Sequence, residues 1–144
     1  MAGAGANFVL DKGFLAMPTY NSSAAAGVVA NRFVKFGATA GTVDLNVAST
    51  TRSIGVVMEN VDAAKVVTGK VVVDVRMMGI ATVVVTTATS LVLGSVVMSS
   101  TTGGVLLAAT ATNIPLGILV GITGTVAAGD LVQVLLCPGL PAIP

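Results

Sequence analysis

Short runs rich in valine recur along the chain about 8 to 14 residues apart, a spacing typical of all-β sandwiches and barrels. Gly, Asn, Asp, Ser or Thr separate these runs. β-Branched side chains pack well on pleated strands, and the polar and glycine residues between them favour turns. The pattern therefore predicts a small all-β sandwich or barrel domain, with helical turns only near 60–65 and 123–129. The predicted strands are 28–36, 43–47, 53–60, 70–76, 80–86, 94–99, 105–109, 116–123 and 131–137.

Residues 1–26 differ from the rest of the chain because they hold three of its five aromatic residues. Small residues flank this apolar stretch, as expected of an extended N-terminal arm that docks on a neighbour. The alternative is a first strand that packs on the chain's own core. At the other end, residues 138–144 contain three prolines, which predicts an extended C-terminal tail. The candidate residues for binding such a neighbour are Phe8, Leu10, Phe14, Leu15, Met17 and Tyr20.

A weak internal repeat lies within the predicted β domain, residues 27–137. Ser53-Ile-Gly-Val-Val57 parallels Pro115-Leu-Gly-Ile-Leu119, and an Ala-rich turn ending at Gly69 or at Gly129 follows each segment. One interpretation is an internal duplication of residues 27–76 and 94–137. The other is a chance match, because Val-rich strands resemble one another in sequence. The placement of the glycines is therefore the main evidence for duplication.

Charge is distributed unevenly. Charged residues make up 9% of the chain, and twelve of the thirteen lie between Asp11 and Arg76, leaving only Asp130 beyond. Mean hydropathy is +0.97, but Thr, Ser and Gly interrupt the uncharged run 77–129 too often for a membrane-spanning helix. The net charge of +1 provides no basic face for nucleic acid. A second subunit or a larger particle is therefore expected to cover the uncharged half.

Residues with catalytic or metal-binding chemistry are scarce. The chain has no His, and Cys137 is its one cysteine, which excludes a disulfide framework and a Cys-rich zinc site. Glu59 and Asp62 lie in a predicted turn, where acidic residues are common. Asp74 and Arg76 are two residues apart on one strand, as in a solvated or intersubunit charge cluster. We expect no catalytic, cofactor-binding or metal-binding residues, no small-molecule substrate and no membrane partner.

The ordered glycines and the closing segment carry a family resemblance. Gly55-Val-Val, Gly79-Ile-Ala, Leu93-Gly-Ser-Val-Val97 and the final Ala127-Ala-Gly-Asp-Leu-Val-Gln-Val-Leu-Leu-Cys-Pro-Gly139 resemble the capsid cement or decoration proteins of tailed bacteriophages. The resemblance covers about residues 27 to 139, outside the N-terminal arm. Lys70 departs from it, since an acidic residue often follows the glycine there.

The resemblance implies a β-rich protein, made in the host bacterial cytoplasm, that binds the outer surface of the virion head and stabilises it. Its implied partners are the major capsid protein and two further copies of itself in a homotrimer. Two other classes are compatible with the residues: a self-assembling minor head or fibre subunit, and a ligand- or carbohydrate-binding β module. The scarcity of aromatic residues disfavours the last class, because sugars and bases stack on aromatic rings.

Overall fold

Nearly all regular structure in the computed structural model is β-strand, over the described residues 10–16, 28–66, 71–107, 112–122 and 124–137. The prediction of an all-β chain is confirmed. The elements, in chain order, are β1 (Leu10–Ala16), β2 (Arg32–Phe36), β3 (Thr42–Leu45), β4 (Gly55–Val57), α1 (Ala63–Val66), β5 (Val72–Val84), β6 (Thr89–Leu91), β7 (Val96–Ser99), β8 (Val105–Leu107), β9 (Gly117–Leu119), β10 (Gly124–Val126) and β11 (Leu131–Leu136).

Five strands of the first half pair in a closed order, β1-β3-β2-β4-β5 and back to β1, which we call the first ring. The pairings are antiparallel except between β1 and β3, where Leu15 lies beside Thr42 in parallel. β1 continues along β5 from Leu10 opposite Met78 to Leu15 opposite Val72. Residues 10–16 of the predicted arm therefore form a strand in the sheet of their own chain.

The second half builds a matching arrangement, the second ring, in the order β5-β11-β9-β7-β8. A parallel bridge between Val85 and Val105 returns from β8 to the end of β5. β5 serves both rings, because its first part pairs with β1 and β4 and its residues from Gly79 onward pair with β11. Two separate strands, 70–76 and 80–86, were predicted here, and the predicted break between them is wrong. Gly79 has φ +90°, a conformation open to glycine, so the strand continues through it while changing partners.

Backbone hydrogen bonds recur at equivalent places in the two rings. Asn31 N–H donates to the Val57 carbonyl at 2.9 Å, and Gly94 N–H donates to the Leu119 carbonyl at 2.8 Å. Asn31 and Gly94 both have positive φ, +63° and +82°. Two further pairs of hydrogen bonds match in the same way. The Ile54 N–H donates to the Val34 carbonyl as the Leu116 N–H does to the Val97 carbonyl. The Met58 N–H donates to the Asp74 carbonyl as the Val120 N–H does to the Gln133 carbonyl. The rings thus share strand order and hydrogen bonding, while their origin by duplication stays a prediction.

The core has two parts, separated by the sheet of β2 and β4. Val34 and Val57 pack in the first core with other valines of the first ring. Their neighbours Phe33 and Val56 point the other way and belong to the second core, with residues of the second ring. All four are fully buried. The sheet of β2 and β4 is therefore covered on both faces, by the first core on one side and by the second core on the other.

Buried polar groups also join the rings. Asn46, after β3, is fully buried, and its carbonyl accepts a hydrogen bond from Ser99 Oγ of β7 at 2.6 Å. The Asn46 side-chain amide donates to the Thr51 carbonyl at 2.9 Å, and Ser100 Oγ accepts from Gly104 N–H at 3.0 Å. Buried polar groups that are hydrogen-bonded in this way fix one relative placement of the elements that carry them.

The predicted helical turns had different outcomes. α1 confirms the turn near 60–65, and Asp62 Oδ1 accepts the Ala64 N–H at its start, at 2.8 Å. The turn predicted at 123–129 is wrong over residues 124–126, which form β10 and pair with β6. β-Branched Thr125 and Val126 favour this strand. Neither β6 nor β10 was predicted.

Candidate interaction surface

An apolar row crosses the outside of the second ring. Val96, Ile118, Leu135 and Ile80 lie side by side on four neighbouring strands. Directly paired residues of adjacent strands project from the same face of a sheet. Their chain neighbours Ala81, Val97, Leu119 and Val134 are buried inside the ring, so this row points outward. Ile80 is 46% exposed and Leu135 is 38% exposed, and Val96 and Ile118 are half-buried.

Most of the residues around this apolar row are also uncharged. Met78, Val120 and Leu131 are exposed apolar residues on the same strands or directly after them. The four strands that carry the row have no charged residue from Ile80 onward. The charged residues nearest to it in sequence are Arg76, whose guanidinium donates to the Ile80 carbonyl at 3.1 Å, and Asp130. An uncovered sheet face of this kind is typical of a protein interaction surface.

The structure divides the predicted arm residues. Leu10, Phe14 and Leu15 lie in β1, beside β5 and β3 of the same chain. Phe8, Met17 and Tyr20 lie outside the described residues. Binding of these six residues to a neighbour stays a prediction, and β1 shows that part of the segment also completes the first ring.

Three acidic side chains accept hydrogen bonds from backbone N–H groups. Glu59 Oε1 accepts the Asp74 N–H at 3.0 Å, and Asp130 Oδ2 accepts the Ala127 N–H at 2.8 Å. Together with the Asp62 cap of α1, these contacts give each carboxylate a local structural role. Across the described parts of the chain, no group of three or more His, Cys, Asp or Glu residues is placed to hold a metal ion. Cys137 is a free thiol.

Membership of a known family follows from comparison with family models. The model described as XM1 gp53 minor capsid protein matches residues 7–136. The chain belongs to this family. The predicted association with a phage capsid is thereby confirmed, and this minor capsid family member is a structural, head-associated protein of the virion.

A solved phage structure has the same fold as this minor capsid family member. The head fiber gp8.5 N base of bacteriophage phi29 superposes with a TM-score of 0.58 at 15% identity, over 91% of this chain and 96% of that one. At this identity the similarity concerns the fold alone. A search of curated protein sequences gives no significant match. Within the described residues, no helix has the length and apolar character needed to cross a membrane.

The apolar row was expected only as a region. Absence of charge indicated that the uncharged half of the chain would be covered, but it did not identify the residues that point outward. β11 shows why: Leu131 and Leu135 face out, while Val132, Val134 and Leu136 face in. Both faces of this strand are largely apolar, so only its pairing register distinguishes them.

Proposed function

We propose that this minor capsid family member is a non-enzymatic decoration protein that binds the exterior of the phage head as a homotrimer and stabilises it. The observation that carries the proposal is the uncovered apolar row of the second ring, in a chain whose charges lie almost entirely in the first half. A free monomer would expose this row to water. In an assembly the row is covered, and the charged first ring keeps the particle surface hydrated.

Stabilisation would follow from binding alone. A protein that binds the assembled shell more tightly than its separated subunits stabilises the shell by mass action, whatever the details of the contact. The apolar arm residues, among them Phe8 and Tyr20, are proposed to add contacts to the major capsid protein or to a neighbouring copy. Burial of a large apolar side chain contributes about 1.5 to 3 kcal/mol, enough for a few of them to offset the conformational entropy lost on binding.

A second candidate function is the base of a head fibre. The fold shared with the head fiber N base of phage phi29 favours it. In this role the chain would attach a projection to the head, and the shell would be no more stable with it than without it.

The experiment uses phage heads that lack this protein and the purified full chain. Decoration predicts saturable co-sedimentation with the heads and a higher temperature for heat-induced release of DNA. Binding at saturation with no change in that temperature would contradict stabilisation and favour the fibre base. No saturable binding would contradict both functions.

A further inference from the structure

The apolar row of the second ring has an equivalent row in the first ring. Strand pairing aligns Phe33 with Val56, Val56 with Arg76, and Arg76 with Asp11. By the matched hydrogen bonds and strand order, these positions correspond to Val96, Ile118, Leu135 and Ile80 of the second ring. Two positions that are charged in the first ring, Asp11 and Arg76, are thus apolar in the second.

The two rows differ in what covers them. Phe33 and Val56 are fully buried because they pack into the core of the second ring. Their equivalents in the second ring, Val96 and Ile118, are only half-buried. Ile80 and Leu135, at the positions of Asp11 and Arg76, are exposed. In the first ring, the apolar part of this face is thus covered by the second ring of the same chain.

We propose that the apolar row of the second ring is the surface that binds a second copy of this chain. The inference rests on the proposed homotrimer and names its contact surface. A second copy fits this surface for two reasons. Two of the four equivalent positions in the first ring, Phe33 and Val56, are already covered by a ring of the same fold. In addition, symmetric assemblies bring identical residues near the symmetry axis close to one another, which is unfavourable for charged residues and acceptable for an uncharged row.

The test compares two substitutions on one strand in the full chain. Ile80→Asp places a charge in the apolar row. Val72→Asp places the same charge on the outward side of β5 in the first ring, where Val72 is 59% exposed and Asp74 and Arg76 are its neighbours. Sedimentation velocity across a concentration series measures self-association, and circular dichroism and cooperative melting report folding.

We expect wild type and Val72→Asp to associate equally, and Ile80→Asp to associate at least about a hundredfold more weakly while keeping its fold. Should Ile80→Asp unfold, the milder pair Ile80→Thr with Leu135→Thr retains strand-compatible side chains and should weaken association by at least about tenfold. A wild-type chain that stays monomeric, or row variants that associate as wild type does, would overturn the inference.

Head binding by the same variants separates this inference from the proposed function. An Ile80→Asp chain that still self-associates but no longer binds heads would assign the row to the capsid protein and overturn the inference. A wild-type chain that self-associates through the row but binds no heads would contradict the proposed function and leave the inference standing.

Discussion

Gly55 and Gly117 occupy the same place in the two rings, each at the first position of its strand and each pressed against the backbone of the next strand. Gly55 lies against the Arg76 carbonyl and Gly117 against the Leu135 carbonyl. A Cβ on either glycine would overlap that carbonyl and also the side chain of Val75 or Val134. The equivalence extends the matched hydrogen bonds to side-chain packing, and it explains why glycine occurs at both positions of the sequence repeat.

Gly55→Ala and Gly117→Ala should each lower the free energy of unfolding by about 1 to 3 kcal/mol, because backbone cannot yield to an added methyl group as a side chain can. Chemical denaturation followed by circular dichroism measures the effect. Gly13→Ala is the control: its Cβ would meet only the side chains of Val72, at 3.0 Å, and Asp74, so its cost should be smaller. An equal loss of free energy of unfolding in Gly13→Ala and Gly55→Ala would contradict the close approach of Gly55 to the Arg76 carbonyl.

The strand pattern predicted much of this fold because each β strand of either ring has one face that must be buried. Val73 and Val75 are buried and Val72 and Asp74 exposed, which is the alternation of a strand with one buried face. The pattern of apolar and polar residues could not predict which strands pair when they are far apart in the sequence. Parallel contact of β1 with β3, and the bridge from Val85 to Val105, depend on which strands meet after folding.

β1 shows a second limit of prediction from the sequence. Small residues flank its apolar stretch, so the segment was predicted as an arm, with a strand on the chain's own core as the alternative. Its pairing with β5 is a long-range contact that the local pattern does not reveal. The residues of the apolar row could not be predicted for a related reason. Both faces of β11 are largely apolar, so only the pairing register determines which face points outward.

Two N-terminal truncations should separate an arm from a ring strand. Removal of residues 1–9 leaves β1 intact and should leave the melting temperature nearly unchanged. Removal of residues 1–16 deletes β1 and exposes the edges of β3 and β5, so the chain should melt at a markedly lower temperature or fail to fold. Unchanged melting after the longer truncation would show that β1 does not stabilise the first ring.

The same truncations test head binding by the predicted arm residues. The chain without residues 1–9 lacks Phe8 and keeps β1, so a loss of affinity for heads by about tenfold, with unchanged melting, would assign a binding role to the start of the arm. Unchanged affinity would contradict a contribution of Phe8.

Ser99→Ala should destabilise the contact between the rings. The substitution removes the hydroxyl that donates to the buried Asn46 carbonyl, which would lose this donor in the interior. We expect a loss of about 1 to 3 kcal/mol in the free energy of unfolding. Ser90→Ala, at an exposed position of β6, is the matched control and should change it by less than about 0.5 kcal/mol. A loss in the control equal to that of Ser99→Ala would contradict the role of the buried bond.

Self-association through the apolar row should respond weakly to salt. Screening weakens contacts between exposed charges, and from Ile80 onward the strands of the row carry none. Raising sodium chloride from about 0.05 to about 0.5 M should change the dissociation constant by less than about threefold. Sedimentation equilibrium at the two salt concentrations measures this. A steep weakening would indicate that the charged first ring joins the copies instead.

We propose that this minor capsid family member decorates the outside of the head as a trimer whose copies meet through the second ring. Electron cryo-microscopy of heads decorated with the full chain tests this arrangement. We expect three-fold density on the outer surface, with Ile80 and Leu135 buried between copies. Density on the inner surface of the shell, or separate copies whose apolar row faces solvent, would contradict it.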